Sequence, residues 1–368
     1  MHQIRPFTIA AEQQVIDRIA RKVADSRIGY APADDGNWQY GTDARYLAGL
    51  VAYWRDHYDW RAAETGLNRW PQFKVVIDGI DVHFYHVKGD GSRPFPLLLT
   101  HGWPGSVVEF QAAIGLLNAA GFDLVVPSLP GYGWSERPTA PIGPKQVAAL
   151  WRKLMTGALG YPRFGAQGGD WGSIVTSWLG KDHGDVVTGI HLNMFTGPPP
   201  GPGDDEESHA YRRRLGKFSA ADSGYAHQQA TKPQTLGLAL HDNPVGWAAW
   251  VVEKFHGWGD TRGDITSRFA MDMLLTNIMT YLVNNAVTSS LWMYYGAARS
   301  ESFAGPVTVP TGLALYPAEF VPYPGRRDAA RLFNIQHWAE MQAGGHFAAL
   351  EEPDAFSADV AAFFGTLA

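Results

Sequence analysis

The chain contains no cysteine. That absence excludes disulfides, thiolate nucleophiles and cysteine-ligated zinc. Charge is sparse: Asp, Glu, Lys and Arg make up 18% of the 368 residues, and the formal net charge is −6. A chain without basic excess has no electrostatic footprint for nucleic acid. Long apolar runs are also missing. The most apolar stretch, MDMLLTNIMTYLVNNAVTSSLWMYY, is interrupted by Asp272, Asn277 and Asn284. It reads as buried helix, because a membrane span needs about 20 predominantly apolar residues. The first residues, MHQIRPFTIAAEQQ, lack the apolar segment of a secretory signal. Residues 14–23 place Ile16, Ile19, Ala20 and Val23 on one helical face, expected to pack within their own domain rather than on a membrane. These absences lead to the expectation of a cytoplasmic protein without nucleic-acid or membrane partners, and they are compatible with a homo-oligomer.

What is present is an alternation. Residues 1–73 look helical and aromatic and carry no chemical motif. FKVVIDGIDVHFYHV then alternates around Asp78-Gly79, a strong hairpin signal. Downstream, PLLLTHG, DLVVPSLPGYG, RFGAQGG and DVVTGIHLNMF read as strands, each but the last followed by a helical segment. Strands alternating with helices imply βαβ units and a mostly parallel sheet with helices on both faces. The pattern breaks at TGPPPGPGDDEES, a proline-glycine linker running into an acidic run expected to be a solvated loop. Mainly helical sequence follows, and strand character returns at GPVTVPTGLALYP and QHWAEMQ before a closing helix, FSADVAAFFGTL. The expected organisation is an N-terminal helical extension (1–73), an α/β core in two parts (74–195 and 305–368) and a helical lid (196–304) inserted between them.

In open α/β sheets reactive groups gather beyond the carboxyl ends of the strands. Asp170, in AQGGDWGSIV, occupies the apex of a strand-turn-helix whose small residues at 168 and 172 allow a strained, exposed side chain. A carboxylate there is ionised at neutral pH and is helped by the positive end of the helix that follows. It is a poor reagent for esters and amides, whose leaving groups are far more basic than the attacker. It suits a saturated carbon bearing a strained or good leaving group, an epoxide or an alkyl halide, and yields an enzyme ester that water must then hydrolyse. His346, in GGHFAA, is the candidate base for that water. Glu319, past a strand in ALYPAEF, is the candidate acid to orient it, preferred over Asp328, expected in a loop, and Glu340, expected within a strand. HGWPGS assigns an oxyanion hole to the backbone N–H of Trp103 together with that of Trp171, the residue after the nucleophile. PGYGWS is given no catalytic role.

These motifs, together with LNRWPQFKVVIDGIDVHFYHV, SLPGYGWS, YPAE and GGHFAALEEP in their order and spacing, resemble those of the epoxide hydrolases of the α/β-hydrolase fold. The likeness is to the microsomal-type branch with an N-terminal extension and covers nearly the whole chain. The membrane-anchored members carry a hydrophobic anchor that this sequence lacks, so the expectation is a soluble bacterial or fungal-like member. The resemblance implies two lid tyrosines that hydrogen-bond the epoxide oxygen and protonate the departing alkoxide. It places these roles on Tyr225, in DSGYAHQQATKPQT, and on Tyr294, in SSLWMYYG, with Tyr295 as the alternative register.

The function that follows is cofactor-independent and metal-independent hydrolysis of a small epoxide, apolar or aromatic, to a vicinal diol. Two alternatives remain at this level. A haloalkane dehalogenase would share the aspartate and need side-chain N–H donors for the halide. A catalytically silent ligand-binding protein could share the fold.

Overall fold

The computed structural model describes residues 3–90, 94–197 and 205–367. Nine strands form one sheet: β1 (Arg5–Phe7), β2 (Gln72–Ile77), β3 (Ile80–Val87), β4 (Phe95–Thr100), β5 (Phe122–Pro127), β6 (Phe164–Gly168), β7 (Val187–Leu192), β8 (Val307–Leu315) and β9 (Phe333–Glu340). Their spatial order is β1-β2-β3-β5-β4-β6-β7-β8-β9. Pairing is antiparallel from β1 through β3 to β5 and parallel from β5 onward. The Asp78-Gly79 turn has positive φ at both residues, 50° and 81°, the two-residue geometry whose twist matches the flanking strands.

The central strands are apolar on both faces because both are covered. Leu97, Leu98, Leu99, Leu124, Val125, Val126, Ala166 and Ile190 are fully buried. Helix Gln111–Ala119 packs on Pro353–Gly365, and Pro144–Arg152 packs on Asp170–Asp182. The crossover from β4 runs one way along the sheet and that from β5 the other, so right-handed connections put these helices on opposite faces. The helical segment after β5 is α-helical over Pro144–Arg152 and widens to a π-helix over Lys153–Ala158.

Four expectations are corrected. The N-terminal extension is not purely helical, since β1 pairs with β2 and extends the sheet. Its helix Gln13–Ala24 buries Ile19 and Val23 but leaves Ala20 exposed, so the packed stripe is narrower than expected. The acidic run is not a solvated loop. The Asp205 carboxylate accepts from the Ser208 N–H, and Glu206 and Glu207 fill the first turn of helix Glu206–Asp222, where the helix dipole favours negative charge. Asp328 lies in the short helix Arg326–Ala329, where Ser208 Oγ donates to its buried carboxylate. The proline-glycine stretch 198–204 lies outside the described residues.

Between β7 and β8 the described residues of the insertion form helices and no strand, and the stretch 271–295 forms three helices, Met271–Val283, Val287–Ser290 and Trp292–Ala297. Among the described residues no helix is long and apolar enough to cross a membrane. The first of the three clamps the loop after β4. Asn277 Nδ2 donates to the Pro104 carbonyl at 2.8 Å, Ser106 Oγ donates to Asn277 Oδ1 at 2.8 Å, and the Tyr281 hydroxyl donates to the Gly105 carbonyl. PGYGWS serves the same docking: Ser289 Oγ donates to the Gly131 carbonyl, and the Tyr132 hydroxyl to that of Ser290.

Candidate active site

Asp170 has φ +48°, a left-handed conformation that costs a non-glycine residue free energy and persists only where the surroundings enforce it. The enforcement is steric. A Cβ on Gly168 would come within 2.2 Å of the Gly172 backbone, and one on Gly172 within 1.9 Å of the Thr100 carbonyl oxygen. Only hydrogen at both positions lets helix Asp170–Asp182 start this close to the sheet. The turn lifts the Asp170 carboxylate over the end of β6, where the Trp103 N–H donates to Oδ1 at 2.7 Å. As the second residue of its helix, Trp171 carries an N–H with no intrahelical acceptor.

The loop holding Trp103 is fixed from behind by His101. The Leu129 N–H donates to His101 Nε2 at 3.1 Å, so Nδ1 carries the proton that bonds the Gly102 carbonyl at 2.9 Å. Burial pulls the His101 pKa down to about 4, and this histidine is neutral and structural.

His346 faces Asp170 from the turn after β9. Gly344 takes φ +98°, and the His346 N–H donates to the Trp258 carbonyl at 3.0 Å. Its ring is caged by Trp258, Phe320 and Phe347. Nε2 lies 3.4 Å from Asp170 Oδ2, and Nδ1 lies 3.1 and 3.0 Å from the two oxygens of Glu319. Glu319 is held in turn by the Val321 N–H, which donates to Oε1 at 3.0 Å. Burial alone would lower the His346 pKa. The charge of Glu319 and the hydrogen bond to Asp170 outweigh it, and the pKa rises to about 10. Asp328 and Glu340 make no contact with His346; Glu340 ends β9 as expected.

The insertion brings Tyr225 and Tyr294 to the same place. Both are buried, their rings lie 5.9 Å apart, and one hydrogen bond joins the two phenols. Tyr225 stacks on Trp103, and Tyr294 stands edge-on to Trp171. Burial first, and the nearby Asp170 charge for both, raise the two phenol pKa values well above the ordinary tyrosine value, so both keep their protons. Tyr295 turns away, its ring under the Arg299 guanidinium at 3.5 Å. Of the two, Tyr294 is the one that faces Tyr225 and Trp171.

Two residues went unnoticed in the sequence. Lys254 is buried, pairs with Asp222 at 3.2 Å and sets its ammonium 4.6 Å from the Tyr225 ring centroid, where a cation favours electron density on the ring. Glu109, in the 3-10 turn Val107–Phe110, lines a small cavity with Asp170 and His346. Both sit in apolar helical patterns, where a single charged residue reads as a solvent-facing position. A larger surface cavity of ≈ 550 Å³ lies on the outer side of Glu319 and is lined by neither Asp170 nor His346.

Among the described residues one group has the donor types for a metal ion, His191, His337 and Asp359. Asp359 instead bridges the two imidazoles at 2.9 and 2.7 Å, tying helix Pro353–Gly365 to β7 and β9. It contains none of the residues gathered around Asp170. What those residues can do is attack with a carboxylate, donate protons from two phenols and move a proton through His346.

Comparison with known proteins gives the following. Residues 4–110 match the family model "Epoxide hydrolase N terminus", and residues 96–353 match the model "alpha/beta hydrolase fold". The chain is 35% identical to "Epoxide hydrolase 1" of Sus scrofa, over 99% of this chain and 89% of that protein. It is 34% identical to "Juvenile hormone epoxide hydrolase 2" of Ctenocephalides felis, over 97% of this chain and 84% of that protein. The crystal structure of juvenile hormone epoxide hydrolase from Bombyx mori superposes with a TM-score of 0.90 at 28% identity, covering 100% of this chain and 95% of that one. The Aspergillus niger epoxide hydrolase structure gives 0.89 at 28% identity, covering 100% and 97%.

Proposed function

The chain belongs to the epoxide hydrolase family of the α/β-hydrolase fold, and from that membership we propose that Asp170 opens the epoxide by forming a covalent ester. The carrying observation is the strained Asp170, its Oδ1 bonded by the Trp103 N–H at 2.7 Å and its Oδ2 3.4 Å from His346 Nε2. Oxygen attack on a ring carbon breaks the C–O bond, and Tyr225 and Tyr294 supply the proton that the leaving alkoxide requires. Their raised pKa values keep both protonated until that charge develops.

The charge on Asp170 disappears when the ester forms. His346 then loses one of the two charged partners that hold its pKa near 10, while burial continues to lower it. The histidine can then give up its proton, which replaces the one the phenols lost, and act as base when the ester needs water. Water attacks the Asp170 carbonyl carbon, its proton passes to Nε2, and the N–H groups of Trp103 and Trp171 hold the oxyanion. Collapse releases the diol, and the second water proton passes from the Asp170 carboxyl to His346, which restores the carboxylate. The aromatic walls favour a small apolar or aromatic epoxide, and the sequence favours action in the cytoplasm.

One observation favours a second activity. Trp103 Nε1 and Trp171 Nε1 are buried without partners, and such donors suit a departing halide. Styrene oxide and a terminal chloroalkane, offered separately, test the reading. Diol formation without chloride release is expected; chloride release with no action on styrene oxide or aliphatic epoxides would overturn it.

A further inference from the structure

Ester hydrolysis needs a water beside both the Asp170 carbonyl carbon and His346 Nε2. The Asp170–His346 pair borders a small enclosed cavity that neither Tyr225 nor Tyr294 lines. The space open to the centre of a water molecule there is ≈ 10 Å³, about what one water occupies on that measure. Much of its wall is apolar, with Phe110, Phe347 and Phe356. Among its polar side chains, Asn193 already accepts from Gln167 Nε2 at 2.8 Å. Two polar side chains are not used by the chemistry above: Thr100, whose buried hydroxyl lacks a partner, and Glu109. Glu109 Oε1 fills the space beside Gly105, where a Cβ would come within 1.6 Å of it. The loop that supplies the Trp103 N–H therefore also makes room for this carboxyl.

We propose that Glu109 holds and orients the hydrolytic water. The Glu109 carboxyl bonds the water on one side while His346 Nε2 accepts its proton on the other, aiming the oxygen lone pair at the Asp170 carbonyl carbon. One C–O bond forms from water to that carbon, and the bond to the glycol oxygen breaks. The proton taken by His346 goes to the departing glycol oxygen, and Glu109 ends the cycle as it began. Burial raises the Glu109 pKa to about 8 against the opposing pull of His346. In the free enzyme the carboxyl is thus mostly neutral at pH 7, able to donate and accept. The assignment rests on the Asp170 ester described above.

The test separates the two half-reactions with styrene oxide, reading ester formation by tryptophan fluorescence, since Trp103 and Trp171 flank the site, and by intact-protein mass after acid quench. In Glu109→Leu the ester should form within about threefold of the wild-type rate. Its hydrolysis should slow on the order of 10²-fold, the cost of a misplaced reactant, so that kcat and KM fall together and the adduct accumulates. Glu109→Ala replaces it if leucine is not accommodated. Glu109→Gln, which keeps a donor and an acceptor, should recover most of the hydrolysis rate. Unchanged hydrolysis in the leucine variant, or a glutamine variant as slow as leucine, would overturn the proposal for Glu109 alone. Absence of any adduct in His346→Gln as well would overturn the ester reading beneath it.

Discussion

The elbow at Asp170 and the helical insertion over it position their reactive groups by different physical means. At the elbow the backbone does the work. Strand ends, a left-handed φ and two glycines in contact with neighbouring backbone fix where Asp170, Trp103 and His346 can be. In the insertion Arg262 and Asn285 also take left-handed φ and Gly296 lies against the Ile142 backbone, but Tyr225 and Tyr294 themselves sit within helices. Tyr225 and Tyr294 are placed by helix packing and by aromatic contacts with Trp103, Trp171 and Trp258. Backbone constraint leaves a sequence signature in small residues at fixed spacing, whereas side-chain packing leaves only composition.

Breaking the elbow should therefore cost most. Asp170→Asn should reduce diol formation roughly 10⁵-fold or more, as loss of a nucleophile does in a catalytic unit. Loss of all adduct in quenched intact-mass spectra checks it. Breaking the insertion should cost less, because two phenols share one task. Tyr225→Phe or Tyr294→Phe should each slow ring opening by roughly 10²–10⁴. Tyr295→Phe should leave the rate unchanged, and stopped-flow fluorescence distinguishes the three. Two unchanged rates at Tyr225 and Tyr294 would remove the proton donors from the account.

Smaller effects sharpen the same contrast. Lys254→Met removes the cation from the Tyr225 ring and should slow ring opening about tenfold or less, matching a cation–π interaction of roughly 1 kcal/mol; ester hydrolysis should be untouched. The elbow also has a pH signature. The folded His346 pKa, about 10, exceeds the unfolded value of about 6.5. Its contribution to stability is therefore complete below about pH 6.5 and is lost as pH rises through about 10. Thermal melts of wild type and His346→Gln should converge across that window.

Much of the core was legible because its signals are local. Asp78-Gly79 announced the hairpin, and GGDWG, HGWPGS and AGGH announced the turns that bear Asp170, Trp103 and His346. Glu319 was legible from chain order, and its two oxygens meet His346 Nδ1 at 3.1 and 3.0 Å. β1 was not, because three residues, RPF, at a sheet edge carry no period. Asp328 and the acidic run were misread since burial of a carboxylate and capping of a helix depend on partners distant in sequence. Lys254 and Glu109 were hidden for the same reason, and the two tyrosines were distinguishable from lid packing only through the family likeness.

The central claim is the ester on Asp170, and a single turnover with enzyme in excess over styrene oxide in ¹⁸O-labelled water tests it most directly. The account predicts an unlabelled diol, its new oxygen drawn from Asp170, with the label recovered in the peptide that contains that carboxylate. Labelled diol on the first turnover, with an unlabelled Asp170 peptide, would contradict it.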